Sequence, residues 1–217
     1  MLKKTLLMVA MLAVLAFHSY ASQLTIGNFS FEADALANPQ DYTSGAITGW
    51  IAPGDQGVFF PSAGVYNGSG LFTNPANCCV DGRNVAYSNG GTISQVLSAT
   101  LTGGMIYTLS VDIGHRFDGA LGSYSIALFA GGTQLALASN PVVPVSGGFG
   151  LATVAYTSTG LESVTGQYLE IRLITSVDSA GQVNYDNVTL DATSAAPEPI
   201  SALLLLTGAG VFYLARR

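Results

Sequence analysis

The chain has 217 residues, 49% of them hydrophobic, with 7 Lys and Arg against 13 Asp and Glu and a formal net charge of −6. So acidic a chain repels phosphate backbones, which excludes nucleic acid as a partner. The length suffices for one domain with a sizeable core.

The first segment, MLKKTLLMVAMLAVLAFHSYASQ, places Lys3 and Lys4 before an apolar stretch from Thr5 to Phe17 and small residues around Ala21. This is the layout of a secretory signal peptide over residues 1–21, cleaved between Ala21 and Ser22 by signal peptidase. The alternative is an uncleaved N-terminal anchor. The apolar part is short for an ordinary span.

Residues 22–192 alternate short apolar runs with turn clusters, and the pattern predicts an all-β domain, a β-sandwich of the jelly-roll kind. LTIGNFSFE comes first. GRNVAYSNGGTISQVLSATL reads as two strands joined in a hairpin at Asn89-Gly90-Gly91. MIYTLSVDIG sets Met105, Tyr107, Leu109, Val111 and Ile113 on one face, and YSIALFAGGTQLALA forms a hairpin around Gly131-Gly132. NPVVPVSGG is a Pro-interrupted connection. QYLEIRLIT puts Leu169, Ile171 and Leu173 on one side and Glu170 and Arg172 on the other, and QVNYDNVTLD closes the domain. The basic residues between 22 and 196 are Arg83, Arg116 and Arg172, against twelve of the thirteen acids.

The only cysteines are the adjacent Cys78 and Cys79. In an oxidising compartment they form a vicinal disulfide, inter-chain bridges or free thiols. His115, Arg116 and Asp118 share the loop GHRFDG, which is either a ligand-contact patch or an exposed turn with local hydrogen bonds. Tyr42, Trp50, Phe59, Phe60 and Tyr66 are candidates for an aromatic platform, with Trp50 assigned to the core and one of Phe59 and Phe60 facing out. A Ser-His-Asp triad would need His115, and no Gly-x-Ser-x-Gly elbow accompanies it. Phosphate loops and Cys-x-x-Cys or His-Glu-x-x-His motifs are absent from the sequence. No catalytic residue is assigned.

The linker 193–196 leads to Pro197-Glu198-Pro199, an apolar run from Ile200 to Ala215, and Arg216-Arg217. Two prolines make the approach extended and accessible. The run makes a helix of roughly 24 Å, short for a hydrocarbon core of about 30 Å. The basic pair holds the C-terminus on the cytoplasmic side. A plain C-terminal anchor is one reading. The three-part pattern over residues 197–217 also resembles the PEP-CTERM sorting signal. That resemblance implies a transmembrane helix at about 200–215, recognition by an exosortase, an inner-membrane intermediate, and delivery to the cell surface or to an extracellular polysaccharide (biofilm) matrix.

GNFSFE, Trp50, GTISQVL, YTLSVDIG and YDNVTL resemble carbohydrate-binding-module-like, or galactose-binding-like, jelly rolls. The resemblance implies that the first and last strands pair, and that a structural calcium lies between Glu32 and Asp186. Asp186-Asn187 departs from the two adjacent acids common there, and the alternative is a pair of solvated strand-end acids. Together the readings give an exported, non-catalytic glycan-binding or structural protein with no other cofactor. A carbohydrate-active hydrolase on the same fold is the second reading, and an ice-binding protein or adhesin the third.

Overall fold

The computed structural model describes residues 21–66, 79–178 and 180–195. Residues 1–20 of the signal peptide expected over 1–21, Cys78, and the tail with Pro197, Glu198, Pro199, Arg216 and Arg217 lie outside the described residues. Among the described residues no helix is long and apolar enough to cross a membrane.

Among the described residues ten strands form two antiparallel sheets: β1 Ala21–Gln23, β2 Gln56–Phe59, β3 Val85–Ser88, β4 Gly91–Thr100, β5 Met105–His115, β6 Tyr124–Ala130, β7 Thr133–Ser139, β8 Gly148–Thr157, β9 Tyr168–Thr175 and β10 Val183–Ser194. The first sheet runs β2-β3-β10-β5-β8, with β1 also paired to β10; the second runs β4-β9-β6-β7. The chain is an all-β sandwich.

Strand alternation explains the core. Tyr107, Leu109, Val111 and Ile113 of β5 point between the sheets, as do Leu169, Ile171 and Leu173 of β9, and all are buried. Each such side chain contributes about 1.5–3 kcal/mol. On the outside of β9, Arg172 forks onto Glu170 and its guanidinium lies over the Phe129 ring. The β6–β7 hairpin turns at Gly131-Gly132, both at positive φ.

Three local expectations change. The turn at Asn89-Gly90 reverses the chain, but β3 pairs with β2 and β10, whereas β4 pairs with β9 in the other sheet. A turn signal sets a reversal and says nothing about the partner. β3 is buried on both faces and therefore belongs inside a sheet. The opening LTIGNFSFE is not a strand. It is a turn-rich segment in which Asn28 and Phe31 take positive φ, and the strand pairing with β10 is the short β1 before it. Finally, Phe59, Phe60 and Tyr66 are all buried, so none presents an outward platform. Residues 40–45 run along the free edge of β2, with Gln40 N–H donating to Phe60 O, Thr43 N–H to Val58 O and Gly45 N–H to Gln56 O; Ile51 pairs with Ser94 at the edge of β4, and residues 60–66 bring Tyr66 over Gly114 on the outer face of the first sheet. Gln95 of β4 accepts from Gly27 N–H and donates to Gly27 O and Gly49 O. Trp50 is buried as expected and donates to Asn28 O. Cys79 is buried and disulfide-bonded.

Candidate functional site

The last strand positions the site. Tyr185 points between the sheets, where its hydroxyl meets Thr175 of β9. Alternation therefore turns Asn184 and Asp186 to the outer face of the first sheet, under Tyr66 and the 80–84 loop. The register shifts between Asp186 and Thr189, and Asn187 sits in this bulge at φ 48°. Bulges commonly re-aim a side chain, and asparagine tolerates the left-handed region better than most residues. The Asn187 side chain then donates to Asp112 Oδ2, while its own N–H donates to Asp186 Oδ1. Asp112 is the cross-strand partner of Asp186 on β5. An acid at 187 would crowd a third carboxylate into this spot, which accounts for the Asp-Asn pair.

Asp186 is fully buried. Its Oδ2 accepts the N–H groups of Val80 and Asp81 at 2.9 and 3.0 Å. These bonds favour the carboxylate, but burial outweighs them and pushes the Asp186 carboxyl up to about 8. Asp186 therefore holds its proton at neutral pH. Burial also raises Asp112, with the Asn187 amide pulling the other way.

Glu32 grips the same loop from the other side. Its Oε1 accepts the N–H groups of Arg83 and Asn84 at 2.8 and 2.6 Å. Gly82, at φ 77°, passes so close that any Cβ there would strike the Glu32 carboxylate. The Asn84 side chain adds bonds to Phe31 O and Asp34 O. Glu32 and Asp186 are thus joined through residues 80–84. Among the described residues no group of three or more His, Cys, Asp or Glu side chains is placed to hold a metal ion.

A cavity of about 400 Å³ opens on the same outer face, lined by Tyr42, Phe59, Tyr87, Arg116, Asp118 and Gln182 among others. Arg116 forks onto Asp118 at 2.8 Å through both oxygens, reaches Gln182 at 2.9 Å, and lies over the Phe59 ring. The hydrogen bonds that Arg116 donates to Asp118 raise the guanidinium and lower the Asp118 carboxyl. His115 stands apart: its ring bonds to Pro144 O, away from the Arg116–Asp118 fork. Tyr66 connects the cavity to the acids. Its hydroxyl lies against Gly114, where a Cβ would collide with it, and its ring packs on Phe149 with centroids 4.4 Å apart. Burial raises the Tyr66 hydroxyl well above its usual range, and Arg116, Asp186 and Asp118 all act on it electrostatically.

Sequence reading missed Asp112, Asn184, Gln182 and Tyr87 as members of this face. Their alternation with Val111, Ile113, Val183 and Tyr185 marks a face turned from the core. That pattern looks the same for a solvated face and for one covered by distant segments.

Solved structures place this arrangement among known proteins. The Stig cyclase Fisc from Fischerella sp. TAU, in complex with (3Z)-3-(1-methyl-2-pyrrolidinylidene)-3H-indole, is 29% identical, covers 81% of this chain and 100% of its own, and superposes with a TM-score of 0.70. An apo form cyclase from Fischerella sp. is 30% identical over 82% of this chain and 98% of its own, TM-score 0.68. A cyclase from Fischerella sp. TAU in complex with 4-(1H-indol-3-yl)butan-2-one gives 29%, 81%, 100% and 0.67. Among curated proteins none matches the chain.

These relatives overturn the functional expectation. They are cyclases, two of them in complex with small indoles, so the non-catalytic glycan-binding or matrix protein, the hydrolase and the ice-binding alternatives are all withdrawn. The carbohydrate-binding-module likeness reflected the shared sandwich. The PEP-CTERM, exosortase and biofilm assignment finds no support either, since the family match ends at residue 191, before Pro197. A local tail motif and a fold-level likeness carry no information about a covered site. The family model described as HpiC1-like, HpiC1 cyclase, matches residues 22–191, and the chain belongs to that family.

Proposed function

We propose that the protein is a cyclase that closes a ring on an indole-bearing substrate by proton transfer, with Asp186 as the proton donor. The observation that carries this reading is a fully buried carboxyl, pushed up by that burial, on the outer face that also carries an aromatic-lined cavity. The Asp186 O–H bond breaks as the proton passes to an electron-rich carbon of the substrate. The resulting cation is captured by a carbon–carbon double bond of the same molecule, which closes the ring. Loss of a proton to the carboxylate restores Asp186, so the net change is an isomerisation and needs no co-reactant. Phe59, Tyr87 and Tyr66 offer ring faces that favour a transient cation. The Tyr66 ring covers Gly114, so a substrate reaching Asp186 displaces it. The assay is incubation with a 3-alkenyl indole, read by mass spectrometry and NMR for an isomer of unchanged mass with one more ring.

Calcium is carried in this proposal on Glu32 alone. Both oxygens of Asp186 accept backbone N–H groups, which makes it a poor cation ligand, whereas Glu32 spends only Oε1 on the 80–84 loop among the described residues. Calcium takes six to eight oxygens, so backbone carbonyls and water would complete the shell. Chelation is expected to lower Tm, by the loss of about 2.7 kcal/mol where free calcium had stood a hundredfold above Kd. A Glu32→Ala variant is expected to be indifferent to chelator. A wild-type melt unchanged by chelator rejects the ion.

Export is part of the same proposal. The family match begins at Ser22, immediately after the expected cleavage site. Intact mass of protein recovered from the medium is expected to start at Ser22; a species retaining Met1 there refutes it.

A further inference from the structure

The proton-transfer reading leaves one side chain on this face unused. Asn184 is fully buried, and among the described residues neither its amide nitrogen nor its carbonyl oxygen has a hydrogen-bond partner. Buried polar groups are nearly always paired, so an amide lacking partners at both ends asks for one. Two other buried amides on the first sheet or its cover differ. Gln56 leaves only Oε1 unpaired and Asn84 only Oδ1, and each is anchored through its NH₂ group, Gln56 to Gly90 O and Asn84 to Asp34 O. Asn184 keeps a complete donor–acceptor pair.

Its surroundings are closed in this structure, and an outside partner reaches it where a neighbouring side chain gives way. The cross-strand neighbours of Asn184 are Tyr87 on β3 and Gly114 on β5. Tyr87 lines the cavity. Gly114 contributes no side chain, and the space above it is taken by the tip of Tyr66, the ring a substrate displaces in the reading above. Asp186 lies two residues along the same strand and therefore on the same face. A flat ligand resting against Tyr87 would thus meet the Asn184 amide before the acid.

We infer that Asn184 is a specificity-determining residue that reads a cyclic amide on the substrate, an N–H and a C=O side by side on the edge of a fused aromatic ring. A primary amide offers one donor and one acceptor on the same edge, and a lactam answers both in a paired arrangement. An indole with no carbonyl answers the acceptor only. This inference rests on the cyclase reading, since it uses the same face and ligand class, and it adds which member of that class is preferred.

The test titrates the soluble protein, residues 22–195, with indole and with oxindole, which share a bicyclic skeleton and differ in the lactam carbonyl. The family match covers residues 22–191, and the last strand ends at Ser194. Wild type is expected to bind oxindole about tenfold more tightly than indole. Asn184→Leu is expected to bind both alike, with Tm unchanged or raised, because a similar volume replaces an unpaired amide. Should that variant fail to fold, Asn184→Ala is read in the same way, and the wild-type preference needs no variant. Equal wild-type affinities overturn the inference and assign the amide to buried water, while leaving the cyclase reading in place. A preference that survives the substitution also overturns it. If neither heterocycle binds, the cyclase reading falls, and this inference with it.

Discussion

Asp186→Asn is expected to leave the sandwich folded and to lower ring-closing turnover by a factor of about 10²–10⁴, the ordinary contribution of a positioned acid. The amide keeps the shape and one acceptor for the 80–84 loop, but it has no proton to give. Wild-type turnover is expected to fall as pH rises through about 8, where Asp186 loses its proton, and the residual activity of the variant to lack that limb.

Stability supplies a second readout on the same residue. The folded-state value of Asp186, about 8, lies above the unfolded value for an aspartate, about 3.9. Between the two, the unfolded chain is ionised while the folded protein still holds the proton. The folded state therefore binds more protons, and the contribution of Asp186 to stability is full below about pH 4 and is lost as pH rises through 8. The decline is on the order of a few kcal/mol. Asp186→Asn is expected to flatten it, so the variant compares better with wild type at pH 8.5 than at pH 5 in urea titrations. A variant with wild-type turnover, or an unchanged pH slope, rejects the role. Glu162 works in a separate, lower window. Backbone N–H groups around Thr159 hold its carboxyl well below the usual range, so its contribution is present at neutral pH and is lost only on acidification.

The second large effect is expected at Glu32. Glu32→Ala removes the acceptor for two backbone N–H groups, those of Arg83 and Asn84. Hydrogen bonds to a charged acceptor contribute about 1.5–3 kcal/mol each, and of the two residues left without this acceptor Asn84 is fully buried. A loss of about 3 kcal/mol in urea-derived stability is expected, with a parallel loss of turnover, because the same loop donates Val80 and Asp81 N–H to Asp186. Glu32→Gln retains one carbonyl acceptor and is expected to recover most of the stability. If alanine costs no more than glutamine, the 80–84 loop is held by other contacts, such as Asn84 to Phe31 O and Asp34 O.

Much of the fold was legible in the residue order. The alternation in MIYTLSVDIG and QYLEIRLIT identifies β5 and β9 and their buried faces, because a strand buried on one side must alternate. Gly131-Gly132 makes its hairpin because the turn is local and the partner strand follows at once. Asn89-Gly90 looks just as local, yet β3 and β4 enter different sheets, a choice made by burial over the whole domain. The site was legible only in pieces. Glu32, Asp186, Arg116, Asp118, Phe59 and Tyr66 stand out as residue types, but Phe59 and Tyr66 read as outward platforms when both are buried.

Sequence by itself determined an acidic, all-β chain with a signal-like start, and the buried faces of β5 and β9. It did so because side-chain period and net charge are local or additive properties. Only the tertiary structure decided that Tyr66 and the 80–84 loop close over the face that carries Asn184 and Asp186, that Asp112 lies across from Asp186, and that among the described residues the Asn184 amide is left without a partner. Burial, register and desolvation depend on residues tens of positions apart in the chain, and they are what turn an ordinary strand-end aspartate into an acid that keeps its proton.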